Sequence, residues 1–454
     1  MRNLITFVAF LLLTPLVNGQ GFYLRYPSYS TSLASIPTIC TIGDLYTETA
    51  TNKYYTCSAP NVWSESVGGI SLIVGGIIGG GIATTTPIPF AVGAASVRVP
   101  MITGMNLSGP SICTNAAVVG SIGDVWFGTV NPAVVIQRTA DNLTTTVATV
   151  ATPECFSQTS STFRIEQNEF LSGSQGILGT PGPTFWASSI TGTTSQPLIM
   201  EPNGAVAAAG TVYINPGQGN TLTNTTEQVV ELVMPDAVNI IKMCISMTTS
   251  NASGGNYVAT VRKNEAATAL ALTVALSTGI GIQCITSTVS YVGGDRFSVQ
   301  IVNNNGAAAT GAISSITLDA RPTAANMTAL IIYPKSGLAL SASQTRFTSA
   351  YYNKALATTD ALQAAPIPRA GTIRNLYCLQ QTAPTNNATF TPYKQGVATA
   401  LVATATAGAG ANAVFSDTAH SAVFARDNWT SMEIITLGGT QVVSPGCIAG
   451  FYTT

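Results

Sequence analysis

The sequence predicts an all-β protein, with tandem jelly-roll or β-sandwich domains behind a signal peptide and a small disulfide hairpin module. Three observations carry this. One pattern is stated twice near the C-terminus, in residues 234–302 and 367–435. Short alternating strands recur at roughly 8–12-residue spacing. No segment keeps a helical period beyond about two turns. In both copies of the pattern a Pro and a short alternating strand lead to Cys244 or Cys378. Lys263 or Lys394 then stands four residues before an Ala-Thr-Ala-Leu run, Ala267–Leu270 or Ala398–Leu401. Each copy closes on an aromatic strand opened by an acid, Asp295 with Phe297 and Asp427 with Trp429. Repetition on this scale marks repeated β-domains rather than one large enzyme.

Composition agrees. Charged residues make up 8% of the chain and net charge is −1, against roughly a quarter charged in an ordinary soluble protein. Ala, Thr, Gly, Val and Ser fill the space, which suits short strands and tight turns. Hydrophobic residues at 46% argue against disorder. No basic patch marks a nucleic-acid partner.

The first residues, 1–19, have the form of a signal peptide: Arg2, an apolar Ile5–Val17 stretch broken by Pro15, and a small-residue exit at Gly19. Cleavage is expected to leave no stable membrane span; the competing reading is an uncleaved anchor. The product is then secreted, at a cell surface or on a virion. Export sets how the cysteines read. Cys40, Cys57, Cys113, Cys155, Cys244, Cys284, Cys378 and Cys447 fall two to a segment, so sequential disulfides are expected, Cys40–Cys57 through Cys378–Cys447. No CxxC occurs and His420 is the lone His, which leaves no zinc site, and no cofactor or metal is expected. Seven sequons, at Asn106, Asn142, Asn224, Asn251, Asn326, Asn387 and Asn428, are candidate glycosylation sites.

Residues 20–65 contain an aromatic arm and a compact unit from Cys40 to Trp63, with strands expected at Leu45–Tyr46 and Lys53–Thr56. Residues 66–86 are Gly and aliphatic. Their five glycines within Gly75–Gly81 weaken any helix. A transmembrane helix, a linker, a packed oligomerisation stalk and a buried or interface strand compete there, and the stalk is favoured. Three β-domains follow at about 87–190, 195–322 and 327–454. The first echoes the repeat more faintly than the other two echo each other.

Two resemblances follow from these residues. The Cys40–Trp63 unit, C-T-x-G … Y … Y-x-C … N-x-W, resembles a Cys-bracketed module near the start of secreted bacterial and phage-fibre-type proteins. The repeat, carried by Ala370–Leu376, Lys394–Leu401, Ser416–Ala419 and Asp427–Ile435, resembles tumour-necrosis-factor-like jelly-roll domains that cap spore-coat and phage-type fibres. It covers the third domain well, the second fairly and the first poorly, and no collagen-like stalk accompanies it. The second resemblance implies homotrimers.

Catalytic constellations are sparse. His420 has no G-x-S-x-G elbow to serve. Glu166 with Glu169 could act as paired carboxylates, but a solvated strand edge explains them. Asp295 and Asp427 suit turns, where Asp bonds nearby backbone N–H groups. Tyr351 and Tyr352 form an aromatic pair that could contact a ligand. The expected function is a non-enzymatic structural or adhesive fibre protein, self-associating as a homotrimer and attaching to a cell-surface glycan or protein. A lectin-like carbohydrate-binding protein is the alternative, and a carbohydrate-active enzyme comes last.

Overall fold

The computed structural model describes most of residues 195–453, omitting 203–209, 222–223, 248–254, 276–280, 305–312, 335–342, 352–355, 427 and 439–445. Before residue 195 it describes chiefly the backbone of strands. The signal peptide, Cys40, Asn142, Asn251, Glu166, Glu169, Tyr352 and Asp427 lie outside the described residues. Two compact units result, residues 1–68 and 69–454.

The first unit holds an antiparallel three-stranded sheet, Leu45–Glu48, Lys53–Ala59 and Val62–Ser66 in that order. Both expected strands are present, and a third follows Asn61, whose φ of 62° turns the chain.

The second unit contains three β-sandwiches of one topology. In the second sandwich the front sheet runs Gln196–Pro202, Ile313–Pro322, Val238–Met247, Gly281–Tyr291, with the short Gly217–Thr221 added parallel to Gln196–Pro202 at its edge. The back sheet runs Thr211–Ile214, Arg296–Asn303, Asn256–Lys263, Ala266–Ala275. Counted along the chain, the eight main strands are ordered 1-8-3-6 over 2-7-4-5, which is the double Greek key of a jelly roll. The third sandwich repeats it. Its front sheet is Met327–Tyr333, Gly446–Tyr452, Gly371–Gln380, Ala413–Phe424. Its back sheet is Thr345–Ser349, Trp429–Thr436, Ala388–Lys394, and the short Val397–Ala398 and Ala403–Ala405 pieces. In each, a two-residue strand also pairs with the seventh strand: Leu232–Val233 and Ala365–Pro366.

The first sandwich shows seven of these eight strands among the described residues, in the same order. Its front sheet is Ser71–Ile73 with Ile77–Ile78, then Thr184–Thr191, Met105–Thr114, and Glu154–Ser157 with Thr162–Ile165. Its back sheet contains Phe170–Ile177, Ile122–Asn131 and Val134–Thr139, with Val99–Pro100 as the two-residue strand. This corrects the stalk expected over 66–86. Ser71–Ile73 pairs in register with Ser188–Ile190, so the aliphatic residues there belong to the opening strand of a jelly roll that begins before residue 87. Ser71–Ile73 and Ile77–Ile78 pair with the same strand, Thr184–Thr191, and pieces of three and two residues among glycines carry no period-2 signature.

Cores follow the alternation. Val238, Ile240, Met243, Ile245 and Met247 enter one cluster with Val299, Ile301, Ile316 and Leu318. Ile373, Leu376, Phe390, Met432 and Ile434 build the other.

Candidate functional site

The repeated motif resolves into structural parts. Asn264 and Glu265 (φ 51° and 65°) form the turn after Lys263, and Gln395 and Gly396 (φ 48° and 82°) form it after Lys394. Two successive positive φ values make a type I′ hairpin turn, whose twist suits the flanking strands. Lys263 Nζ donates to the Ser290 carbonyl at 2.8 Å and lies over the Tyr291 ring. Lys394 Nζ donates to the Val423 carbonyl at 2.8 Å and lies over Phe424. Each Lys therefore ties the back sheet to the edge strand of the front sheet. In the following run, Thr268 Oγ1 donates to the Val261 carbonyl and Thr399 Oγ1 to the Pro392 carbonyl, both at 2.7 Å. Leu270 and Leu401 enter the cores.

Asp295 takes the turn role expected of it. Its Oδ2 accepts the Val292 amide at 2.8 Å and Lys263 Nζ at 2.8 Å. Burial alone would raise its pKa, but hydrogen bonds from Lys263, Asn264 and the Val292 amide carry it below the usual range. The matching residue in the third jelly roll is Asn428, whose Oδ1 accepts the Ala425 amide at 2.7 Å. The strand registers align Lys263–Phe297 with Lys394–Thr430, so the sequence pairing of Asp295 with Asp427 is off by one residue.

The cysteines show a similar offset. Cys244–Cys284 and Cys378–Cys447 form as expected, and Cys113 stands opposite Cys155 on paired backbones. Met243 and Ile245 point into the core, so Cys244 points out and its partner Cys284 is exposed. Cys378 and Cys447 are core residues, 0% and 1% exposed. Cys378 therefore matches Ile245, and a one-residue offset on a strand reverses the face.

The clearest polar constellation on described residues involves none of the residues singled out as ligand or catalytic candidates. The short 3-10 helix Glu227–Val229 sits over the outer face of the second jelly roll's back sheet. Glu227 accepts Arg262 Nε and Nη2 at 2.8 Å each, and Ser298 Oγ donates to the same carboxylate at 2.8 Å. Arg262 also lies over the Tyr213 ring and donates to the Glu265 carbonyl. Arg296 joins Glu231 at 3.3 Å and Glu265 at 3.1 Å. In the third jelly roll the same positions hold Asp360, Tyr393, Ser431 and Glu433, with Tyr393 Oη donating to Glu433 at 2.7 Å. Burial, reinforced by Glu433, pushes Tyr393 up to about 12. The scaffold, an acid and a serine are shared, and the ion pair is not, because Tyr393 replaces Arg262. The sequence signal was thin: two acids four apart, Glu227 and Glu231, flanking Val229 and Val230 in a chain with few charges.

Glu231 is 1% exposed, and burial raises its carboxyl to about 7 against the pull of Arg296, with Glu265 and Glu227 adding to the rise. The folded state therefore binds this proton more tightly than the unfolded chain. Its contribution to stability is complete below the ordinary carboxylate range and is lost as pH rises through about 7. Glu231→Gln is expected to flatten the stability profile between pH 5 and 8, removing a fall of up to about 3 kcal/mol. Urea unfolding at both pH values measures it.

Tyr351 corrects an expectation. It is 1% exposed and sits in the third core with φ 67°, so its ring offers no surface to a ligand. Its neighbour is Tyr333, whose hydroxyl bonds Thr430 Oγ1 at 2.8 Å. His420 is 60% exposed and lies 2.9 Å from Asp417. Asp417 is itself engaged by the Val402, Ala419 and His420 amides. These bonds outweigh burial and hold its carboxyl below the usual range. Among the sequons, Asn326 and Asn387 are exposed, and Asn224 and Asn428 half-buried. Asn106 lies in a strand paired on both sides. Among the described residues no group of His, Cys, Asp and Glu could hold a metal ion, and no helix is long and apolar enough to cross a membrane.

No family model and no curated protein matches the chain. Among solved structures, dimeric latent PorU from Porphyromonas gingivalis is similar over 77% of this chain and 34% of that one, at 8% identity and a TM-score of 0.20. The chain spans about a third of that protein's length, and a likeness this slight carries no argument.

Proposed function

We propose that this is a secreted, non-enzymatic structural or attachment protein, of the jelly-roll fibre-tip kind that its repeat resembles, which presents rigid β-domains to a cell or particle surface. The observation that supports this most is what the described residues of the second and third jelly rolls share. The Lys tie, the Thr bond, the I′ turn and the core Leu recur, while the Glu227–Arg262 ion pair on the back sheet does not: Tyr393 stands in place of Arg262 and bonds Glu433, although an acid (Asp360) and a serine (Ser431) are kept. Selection on a common charged site would keep the ion pair. Selection on a scaffold keeps the tie, the turn and the core Leu. Two disulfides in these domains suit an oxidising compartment.

The test is to present the purified native protein to a glycan array, to whole cells, and to a panel of polysaccharides. Surface attachment with no turnover is expected. Release of reducing sugar that Glu→Gln changes abolish would sink the proposal in favour of an enzyme. Saturable binding to one glycan class would favour the lectin-like alternative, which has lost Tyr351 as its stacking residue.

A further inference from the structure

We infer that the three jelly rolls of one chain close on each other as a ring with internal threefold pseudosymmetry, so the trimer that the resemblance implies between chains is completed within a single chain. The two-residue strand of each jelly roll lies against the front sheet of the next. Val99–Pro100 of the first lies on Ile313–Pro322 and Val238–Met247 of the second. Leu232–Val233 of the second lies on Gly446–Tyr452 and Gly371–Gln380 of the third. Ala365–Pro366 of the third returns to Thr184–Thr191 and Met105–Thr114 of the first. In all three seams the receiving strands are the eighth and the third, so one contact is used three times.

The opening strands meet at the centre. Ser71–Ile73 lies beside both Gln196–Pro202 and Met327–Tyr333. Gln196 joins the last two: its Nε2 donates to the Leu330 carbonyl at 2.9 Å and its Oε1 accepts the Leu330 amide at 2.7 Å. Side chains fill the seams. Leu330, Ile332, Ile448 and Tyr452 of the third jelly roll belong to the core cluster of the second. Tyr452 Oη and Asn375 Nδ2 both donate to Asp236, at 2.7 and 3.1 Å, and Arg296 Nη2 donates to the Asn412 carbonyl at 2.9 Å. At the returning seam Ala187 of the first jelly roll shares a cluster with Ala365 and Ile367 of the third.

A head-to-tail contact either closes into a ring or propagates without end. Here the third copy meets the first, so the same two strands of each front sheet are met by a segment of the same chain. Native mass spectrometry of the unreduced protein is expected to give one chain, plus any glycan, at micromolar concentration. A mass of three chains would overturn the inference. Closure is tested separately by bismaleimide cross-linking of Ala187→Cys with Ala365→Cys, or Ala187→Cys with Ile367→Cys if the first pair does not fold. The expected product joins the two peptides at monomer mass. Cross-links found only in dimer or trimer bands, or absent from a folded variant, would refute it. Failure of surface attachment leaves both readouts unchanged, so this inference and the proposed function fall separately.

Discussion

Replacing Cys378 and Cys447 together by Ala is expected to destabilise the protein by about 4–6 kcal/mol, while the same change at Cys244 and Cys284 costs less. Loop closure does not separate the two bridges. Sequence separations of 69 and 40 residues each correspond to about 4 kcal/mol of chain entropy. Location does. Cys378 and Cys447 lie in the third core beside Ile373, Leu376 and Phe451, so their truncation adds cavities of about 1 kcal/mol each. Cys284 lies at the exposed edge of the second front sheet, so of that pair only the buried Cys244 leaves a cavity. The same asymmetry governs reduction. A thiolate must reach a sulfur to exchange with it, and only Cys284 of these four is open to solvent. Mild reductant under native conditions should therefore free Cys244 and Cys284 while Cys378–Cys447 persists until the domain unfolds. Differential alkylation with peptide mapping reads this directly, and equal labelling of both pairs before unfolding would refute the face assignment.

That face assignment also shows where the sequence stopped being legible. The jelly-roll order was readable because the repeat carries its turns and core positions in text: Lys, then a two-residue turn, then Thr and Leu. Alignment by letter matched Cys244 to Cys378 and Asp295 to Asp427, and both pairings slip by one. Both copies carry an irregularity at the same place in the third strand, between Ile240 and Lys242 and between Arg374 and Leu376, so the slip lies in where the cysteine sits on a shared frame. A strand's face depends on parity, so a slip of one residue inverts it. The 66–86 segment failed differently, since glycines masked an opening strand as a stalk. Ring closure was illegible for a third reason. Its seams join Asp236 to Tyr452 and Ala187 to Ala365, pairs far apart in sequence whose members look ordinary alone. The Glu227–Arg262 pair was hidden likewise, by a separation of 35 residues.

Glu227→Ala is expected to cost about 3 kcal/mol, the lower end of the range for breaking a buried ion pair. Arg262 retains 14% side-chain exposure and keeps the Glu265 carbonyl and the Tyr213 ring, so water and these neighbours offset part of the loss. Ser298, 1% exposed, loses the acceptor of its hydroxyl as well. Two opposing terms set the pair's net worth: removing two charges from water, and the fork of 2.8 Å bonds that replaces hydration. The double variant Glu227→Leu/Arg262→Met removes both at similar volume. It should recover most of the loss and fall within about 1 kcal/mol of the native protein, because neither charge is then stranded. Chemical denaturation of Glu227→Leu, Arg262→Met and the double closes the cycle, whose coupling term measures the pair itself. A double variant as unstable as the sum of the singles would mean that Glu227 acts through Ser298 and its helix rather than through Arg262. A full recovery would show that this site sets the docking of a short helix onto a sheet at little net cost, consistent with its replacement by Asp360 and Tyr393 in the next jelly roll.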